Sequence, residues 1–135
     1  MATALYGKGR EGFLDGSIDW DTNTIKAVLI DAADYTVSID VHDNLDDIPG
    51  AARVATSSAL SGKTVTLGVA DADDVTFSAV SGDQCEALVL YKDTGTESTS
   101  RLIAYIDNAT GLPVTPSGGD IIVAWDNGAN KIFKL

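Results

Sequence analysis

The stretch STSRLIAYIDNATGLPVTPSGGDIIVAWDNGANKIFKL, residues 98–135, decides the fold class of this chain. Its apolar residues alternate with polar ones, which is the period of a half-buried strand. Segments rich in turn-forming residues separate the runs. We therefore predict three strands, at Arg101–Asp107, Asp120–Trp125 and Lys131–Lys134. The Asn-Gly pair within Asp126–Asn130 indicates a hairpin before the last strand.

Similar runs continue back toward the N-terminus and predict further short strands, with almost no helix. The earlier predicted strands are Phe13–Trp20, Thr24–Ile30, Ala52–Ala55, Thr64–Leu67, Asp74–Val80 and Gln84–Lys92, and Tyr35–Ile39 has the composition of a further short strand. One helical turn is expected at Asn44–Ile48, capped near Asp43. The apolar end of Thr24–Ile30 indicates burial on both faces of the sheet. The pattern is typical of an all-β domain, a β-sandwich or a jelly-roll-like fold.

The length of 135 residues indicates a single domain. We assign residues 13–135 to the β-sandwich and residues 1–12 to a flexible N-terminal arm. Glycines are interspersed among Tyr6, Lys8, Arg10 and Glu11, and these side chains give the arm a positive balance. Such an arm either frays or becomes ordered on a partner surface. In the second case Tyr6 is the expected anchor, and Lys8 and Arg10 supply the pairing charges.

The composition is strongly acidic, with nine Lys and Arg against twenty Asp and Glu and a net charge of −11. Nucleic acid is not an expected partner, because phosphate binding needs clustered cations and the cations here are scattered. No apolar run approaches the ~18–20 residues of a membrane span, and the N-terminus has no signal-like stretch. We expect a soluble protein that has no membrane partner and stays in the compartment where it is made.

Reactive side chains are few, and we predict no enzyme, no catalytic residue and no cofactor. His42, the one histidine, stands in a polar, turn-like stretch, and the chain has no Gly-x-Ser-x-Gly elbow. Cys85, the one cysteine, excludes an intramolecular disulfide. Its alternating neighbours indicate that it points into the core, and it lacks a basic neighbour in sequence that would activate it.

Calcium binding is the main chemical alternative. Asp19–Asn23 begins like an EF-hand loop, but Thr24 stands where glycine is required and Ile30 where the bidentate glutamate belongs. Asp43–Asp47 and Asp71–Asp74 also bring carboxylates together, although such clusters are more often solvated turns. We predict no metal site, and calcium remains the alternative.

Aromatic residues suggest a second alternative, a sugar-stacking platform. The candidate rings are Trp20, Tyr35, Tyr91, Tyr105 and Trp125. Aromatic residues in strands usually pack in a core or an interface. Core packing is therefore the prediction for these rings.

Taken end to end, the chain resembles a group of small structural proteins of tailed bacteriophages, found as virion or head components. The residues that carry the resemblance are Tyr6–Gly16, Trp20–Asp31, Gly62–Thr66, Asp71–Phe77, Leu88–Thr96 and Ser100–Leu135. These blocks span nearly the whole chain, but none has a known chemical task.

The resemblance implies a capsid decoration (cement) protein that binds the outer head surface and stabilises contacts between capsid subunits. The expected partner is the major capsid protein, the expected state is a homotrimer, and the expected location is the capsid surface of the virion, after synthesis in the host cytoplasm. Capsid-contact candidates are Tyr6, Lys8, Arg10 and Phe13. The alternatives are a neck or tail component of the phage, or a calcium- or sugar-binding β module for host attachment.

Overall fold

A computed structural model describes residues 4–126, 128–129 and 131–135. Those residues are predominantly β, with one α-helix and several antiparallel sheets. The strands are β1 (Ala4–Leu5), β2 (Ile25–Ile30), β3 (Arg53–Thr56), β4 (Thr64–Thr66), β5 (Val69–Asp71), β6 (Val75–Phe77), β7 (Ala87–Lys92), β8 (Leu102–Ile106), β9 (Ile121–Val123) and β10 (Phe133–Lys134). The helix is α1 (Gly7–Asp15), and short 3-10 helices lie at Leu45–Asp47, Gly50–Ala52 and Glu97–Thr99.

A five-stranded antiparallel sheet in the order β1-β8-β7-β2-β3 forms the centre of the molecule. Strands β2 and β7 pair along their whole length, from Ile25 opposite Lys92 to Ile30 opposite Ala87. Five of the six residues of each strand are buried. The continuous apolar runs in the sequence arise because both faces of these strands are covered, so the prediction of two-sided burial for β2 is confirmed.

The two faces of the central sheet have separate cores. Ile25, Leu29 and Leu88 belong to the larger core, which the small sheets β10-β5-β4 and β6-β9 complete with residues such as Phe77 and Phe133. On the opposite face, residues of the same strands pack against side chains from loops, 3-10 turns and the N-terminal segment; these core residues include Val28, Val89, Tyr6, Tyr35 and Ile48. The period-2 alternation of the strands therefore distributes apolar side chains to two cores.

The N-terminal segment differs from the prediction. Instead of a flexible arm followed by a strand at Phe13–Trp20, the structure has β1, paired with β8, and then α1; residues 1–3 lie outside the described part. Two glycines that argue against a helix allow this one to dock. A Cβ on Gly9 would lie 2.8 Å from the carbonyl oxygen of Leu102, and a Cβ on Gly12 would lie 2.5 Å from Ile18 Cδ1. Close packing overrides a propensity cost of about 1 kcal/mol per glycine.

The pairing of the last strands also differs from the prediction. Strand β9 pairs with β6, and β10 pairs with β5, so the predicted hairpin between β9 and β10 is wrong. Residues 127 and 130 of that predicted turn lie outside the described residues. Strand β5 was not predicted, and Tyr35–Ile39 is not a strand. The helical turn at Asn44–Ile48 is confirmed by the 3-10 helix Leu45–Asp47.

Candidate interaction surfaces

Tyr6, the predicted anchor, lies inside the protein. Its side chain is 0% exposed, and its hydroxyl lies 2.9 Å from the hydroxyl of Tyr35. Tyr35 in turn lies 2.8 Å from His42 Nδ1, to which the backbone N–H of Ser38 also donates. His42 Nδ1 accepts the Ser38 N–H, so it also acts as an acceptor toward the Tyr35 hydroxyl. Because Tyr35 gives its one hydroxyl proton to His42, Tyr6 is the donor in the Tyr6–Tyr35 bond. Tyr6 therefore offers no surface to a partner.

Lys8 and Arg10 lie on the exposed side of α1. Lys8 forms an ion pair with Glu11 at 3.1 Å, and Arg10 lies 3.8 Å from Asp40 and donates to the carbonyl of Leu5. Arg101, from the neighbouring strand region, donates to the carbonyl of Lys8. We call Lys8, Arg10 and Arg101 the helix surface. It brings three of the nine cations of an acidic chain to one helix.

Phe13, the fourth contact candidate, is half-buried and forms one wall of an open groove. Its ring lies 5.6 Å from that of Phe133, which meets Trp20 edge-on at 5.2 Å. Ile18 and Asp19 lie at the same groove, whose volume is about 280 Å³. We call this the apolar groove. Its walls come from α1, the following loop, the β4–β5 hairpin and the C-terminal residues Phe133 and Leu135.

Large exposed apolar side chains line the apolar groove or are adjacent in the chain to residues that line it. Val65 and Leu135 line it and are 56% and 57% exposed; Leu67 is 92% exposed, and Leu14, next to Phe13 in the chain, is 88% exposed. We call Leu14, Val65, Leu67 and Leu135 the apolar edge. Exposed apolar clusters of this kind mark interaction sites in soluble proteins.

Leu67 occupies an unusual turn position. It joins β4 to β5 through the two-residue turn Leu67–Gly68, and both residues have positive φ, of 51° and 78°. Such type I′ turns favour Asn-Gly, because a larger side chain at positive φ is strained by about 1 kcal/mol. The exposed Leu67 side chain offsets none of this cost by burial within the chain.

Leu67 and the apolar groove have neighbouring charges of opposite sign. Lys131 and Lys134 lie with Leu67 at a second groove, on the outer face of the small sheet. Asp19 lies at the apolar groove, and Asp15 precedes Gly16, which also lines it. Hydrogen bonds from Ser17 lower the pKa of Asp15, and those from Asp21 and Thr22 lower the pKa of Asp19. Both carboxylates are therefore charged at neutral pH.

Cys85 is fully buried, which confirms the prediction that it points into the core. Burial raises the pKa of its thiol to about 11, and the nearby carboxylates of Glu86, Asp31 and Asp83 act in the same direction. The nucleophilic form of cysteine is the thiolate. At neutral pH this thiol is protonated and shielded from solvent.

The EF-hand-like segment Asp19–Asn23 closes on itself. The Asn23 side-chain oxygen accepts the backbone N–H of Asp19 at 2.7 Å, so it is already engaged. The ammonium group of Lys63 donates to the carbonyl of Asn23 and brings a positive charge to the loop. Both features oppose calcium coordination by this segment.

Carboxylates converge at two other places. The side chains of Asp43, Asp46 and Asp47 form one cluster, and Asp31, Asp34 and Asp83 form another that sequence reasoning missed because Asp83 is distant in the chain. Asp47 accepts the backbone N–H of Asp43 at 2.8 Å, which lowers the pKa of Asp47. Asp31 accepts the N–H of Ala33 at 2.9 Å. In each cluster, one carboxylate is therefore already engaged in a hydrogen bond that stabilises a turn.

The five rings of the predicted aromatic set are all buried, so their assignment to core packing is confirmed. The indole N–H groups of Trp20 and Trp125 donate to the carbonyls of Asp71 and Asp73, which ties the Asp71–Asp74 segment to the core. Burial opposes a sugar platform built from these rings, because each ring residue is 5% exposed or less.

Comparison of the chain with models of known protein families, and with curated proteins, gave no match. Among the described residues, no helix has the length and apolar character needed to cross a membrane.

Proposed function

We propose that this chain is a non-enzymatic structural protein of a tailed-bacteriophage head, of the capsid decoration type. It binds the outer head surface, with the major capsid protein as partner, and stabilises contacts between capsid subunits. The phage assignment rests on the sequence resemblance. The observation that carries a binding role is the apolar edge, which leaves four large hydrophobic side chains exposed on a chain of net charge −11.

The state of the reactive side chains supports a role without catalysis. Cys85 is a buried, protonated thiol, and His42 Nδ1 is held by Tyr35 and Ser38. Nucleophilic catalysis needs an activated nucleophile beside a base. Neither group is arranged in this way within the described residues.

The fold suits a particle component exposed to mechanical load. The central sheet has a hydrophobic core on each of its two faces, and the single cysteine is free. We propose a sandwich-like organisation, in which the small sheets β10-β5-β4 and β6-β9 form the layer opposite the central sheet. Acidic exposed residues keep such a protein soluble at the high copy number that decoration requires.

The helix surface is the proposed capsid contact. Lys8 and Arg10 are about half exposed, so they can pair with carboxylates of the capsid. Tyr6 is not part of this contact because it is buried. Nucleic acid and membrane are not proposed partners.

Copy number in the particle tests the proposal. Quantitative mass spectrometry of purified virions, scaled to the major capsid protein, is expected to give a fixed ratio near one copy per capsid subunit or per small group of subunits. A few copies per particle would indicate a neck or tail component. Absence from the virion would contradict the structural assignment.

Binding to heads that lack the protein tests the proposed contact. Lys8→Glu is expected to weaken binding by about twofold to fivefold at low salt, as for a partly exposed ion pair. The control is Thr76→Glu, which adds a negative charge at an exposed position of β6, outside both the helix surface and the apolar edge. Equal binding by wild type and Lys8→Glu would remove Lys8 from the contact.

A further inference from the structure

We propose that the apolar edge binds a second copy of this chain, with Leu67 of one copy seated in the apolar groove of the other. The inference deepens the proposed function, since it names the occupant of the surface on which the binding role rests. It concerns the isolated protein and can be tested without phage heads.

Leu67 has the properties of a side chain that inserts into a partner. It projects from the β4–β5 turn and is 92% exposed, at a positive φ that suits asparagine or glycine. Within one copy, leucine at this position lowers the stability of the fold, and its side chain is not buried. Backbone strain of this kind is concentrated at functional sites, including ligand contacts.

The apolar groove has the properties of a receptor for an aliphatic side chain. Its rings are fixed, because Phe133 packs edge-on against Trp20 and the Trp20 indole N–H is bonded to Asp71. Its volume of about 280 Å³ lies below the range of roughly 300–1,000 Å³ typical of small-molecule sites. A leucine side chain is a more suitable occupant than a large ligand.

Charge selects the partner. Two such acidic chains repel each other overall, so a contact between copies needs local complementarity. Lys131 and Lys134 lie beside Leu67, with Asp71 as the one carboxylate among the described residues of that groove. Asp19 lines the apolar groove, and Asp15 is next in the chain to Gly16, which lines it too. A partner for the groove should carry an apolar knob flanked by cations, and a partner for Leu67 should carry an apolar groove flanked by carboxylates. This chain carries both.

The arrangement also covers an open sheet edge. Strand β4 pairs with β5 on one side, and all three of its residues are exposed. Unprotected edges of this kind favour association with other chains. Knob and groove are separate features of one molecule. Reciprocal insertion therefore gives a two-fold dimer, whereas a one-way contact gives a ring if the rotation closes and an open chain if it does not.

Sedimentation velocity over a range of concentrations tests the inference. Wild type is expected to associate reversibly, and Leu67→Asn to weaken association by about tenfold or more, the loss expected for a central apolar anchor. The matched control Val41→Asn removes another exposed apolar side chain, 74% exposed and outside the apolar edge, and should leave association unchanged. At concentrations where both proteins are monomeric, Leu67→Asn should melt at a higher temperature than wild type, which separates lost association from misfolding.

A charge exchange tests the pairing of the two copies. Lys134→Glu and Asp19→Lys should each weaken self-association, because each places like charges across the contact. A mixture of the two variants should recover association, because the glutamate introduced at position 134 of one copy then meets the lysine introduced at position 19 of the other. Failure of the mixture to recover, with both variants folded, would overturn the assigned pairing.

Two results distinguish this inference from the proposed function. A wild type that stays monomeric at the highest soluble concentration but coats heads normally would overturn the inference and leave the decoration role standing. Loss of head coating in Leu67→Asn, with a monomeric wild type, would assign the apolar edge to the capsid and likewise overturn the inference. Self-association of a protein absent from virions would support the inference and contradict the decoration role.

Discussion

The N-terminal segment (residues 4–15) and the β4–β5 hairpin (residues 64–71) reverse the roles that their compositions suggest. The first is rich in glycine and charge, yet it supplies Tyr6 to one core and packs α1 closely against β8. The second has the alternating apolar pattern of a half-buried strand, yet Val65 and Leu67 are exposed. Whether a segment is buried therefore depends on what packs against it as well as on its hydrophobicity.

The two regions also differ in the size of the side chain at a position where the backbone geometry favours a small one. Gly9 is small so that the helix can approach the carbonyls of β8. Leu67 is large at a position where φ is positive and a small or amide side chain is preferred. One region gains stability from a missing side chain, and the other gives up stability to present one.

The largest expected effect comes from filling the space at Gly9. In Gly9→Ala the new Cβ would lie 2.8 Å from Leu102 O and 2.9 Å from Ile103 Cα, and backbone atoms cannot move aside without shifting β8. We expect a loss of about 2–3 kcal/mol in the free energy of unfolding, measured by urea denaturation. The control is Gly50→Ala, where a Cβ meets nothing within 4 Å. Equal stability of the two variants would show that α1 is not docked as described.

Removing one hydroxyl from the N-terminal segment should have a smaller effect. Tyr6→Phe leaves the buried ring in place but deprives the Tyr35 hydroxyl of its donor. We expect a loss of about 1–2 kcal/mol, as for a buried hydrogen bond between neutral groups. Thermal melting measures it, with Tyr35→Phe as the comparison variant, since it removes the hydroxyl between Tyr6 and His42. An unchanged melting temperature in Tyr6→Phe would contradict burial of this hydroxyl pair.

Substitution in the hairpin should act with the opposite sign. Leu67→Asn places the preferred residue in the type I′ turn, so we expect a gain of about 0.5–1 kcal/mol in stability under dilute, monomeric conditions. That corresponds to a rise of about 2–5 °C in melting temperature. A destabilised variant would show that the Leu67 side chain contributes to the fold, which would end the contrast between the two regions.

The smallest expected effect on stability comes from an ion pair at the central sheet, outside both regions. This effect depends on pH. The ammonium group of Lys26, 2.9 Å from Asp93, lowers the pKa of that carboxyl below its ordinary value of 3.8. Because the folded-state pKa is the lower one, the stabilisation is complete above the unfolded-state pKa. It is lost as pH falls from about 4 through the lowered value.

Asp93→Asn should therefore reduce stability at pH 7 by less than about 1 kcal/mol and flatten the acid limb of the stability curve below pH 4. Urea denaturation at both pH values measures this. A variant that differs from wild type equally at pH 7 and pH 2.5 would exclude the ion pair as the cause.

Strand prediction succeeded where the signal is local and failed where it is not. The runs that became β2, β7 and β8 are long and apolar, and any sheet that buries both faces of a strand requires them. The prediction of a strand at Phe13–Trp20 failed because the glycines of α1 were interpreted without the surface on which they pack. Strand β5 was missed because Val69–Asp71 offers only three residues of alternation.

The candidate surfaces were predicted only in part. Lys8, Arg10 and Phe13 were singled out and lie at surfaces, but Phe13 does so as a groove wall on a helix. Leu67 was not singled out, although its sequence carries a signal: Leu-Gly stands between two alternating runs where Asn-Gly is the usual turn. The residues that share grooves with the β4–β5 hairpin could not be predicted, because they come from α1 and from the C-terminal segment, far away in the chain.

The sequence by itself determined the predominantly β character, the alternation that supplies two cores, the buried Cys85 and the acidic net charge. These follow from residue chemistry and from the two-residue period of a strand, both of which are local. Only the tertiary structure decided that the N-terminal segment docks, that β9 and β10 pair with β6 and β5, and that Leu67 remains exposed. Those outcomes depend on contacts between distant segments, whose free energies compete with local propensity and are large enough to override it.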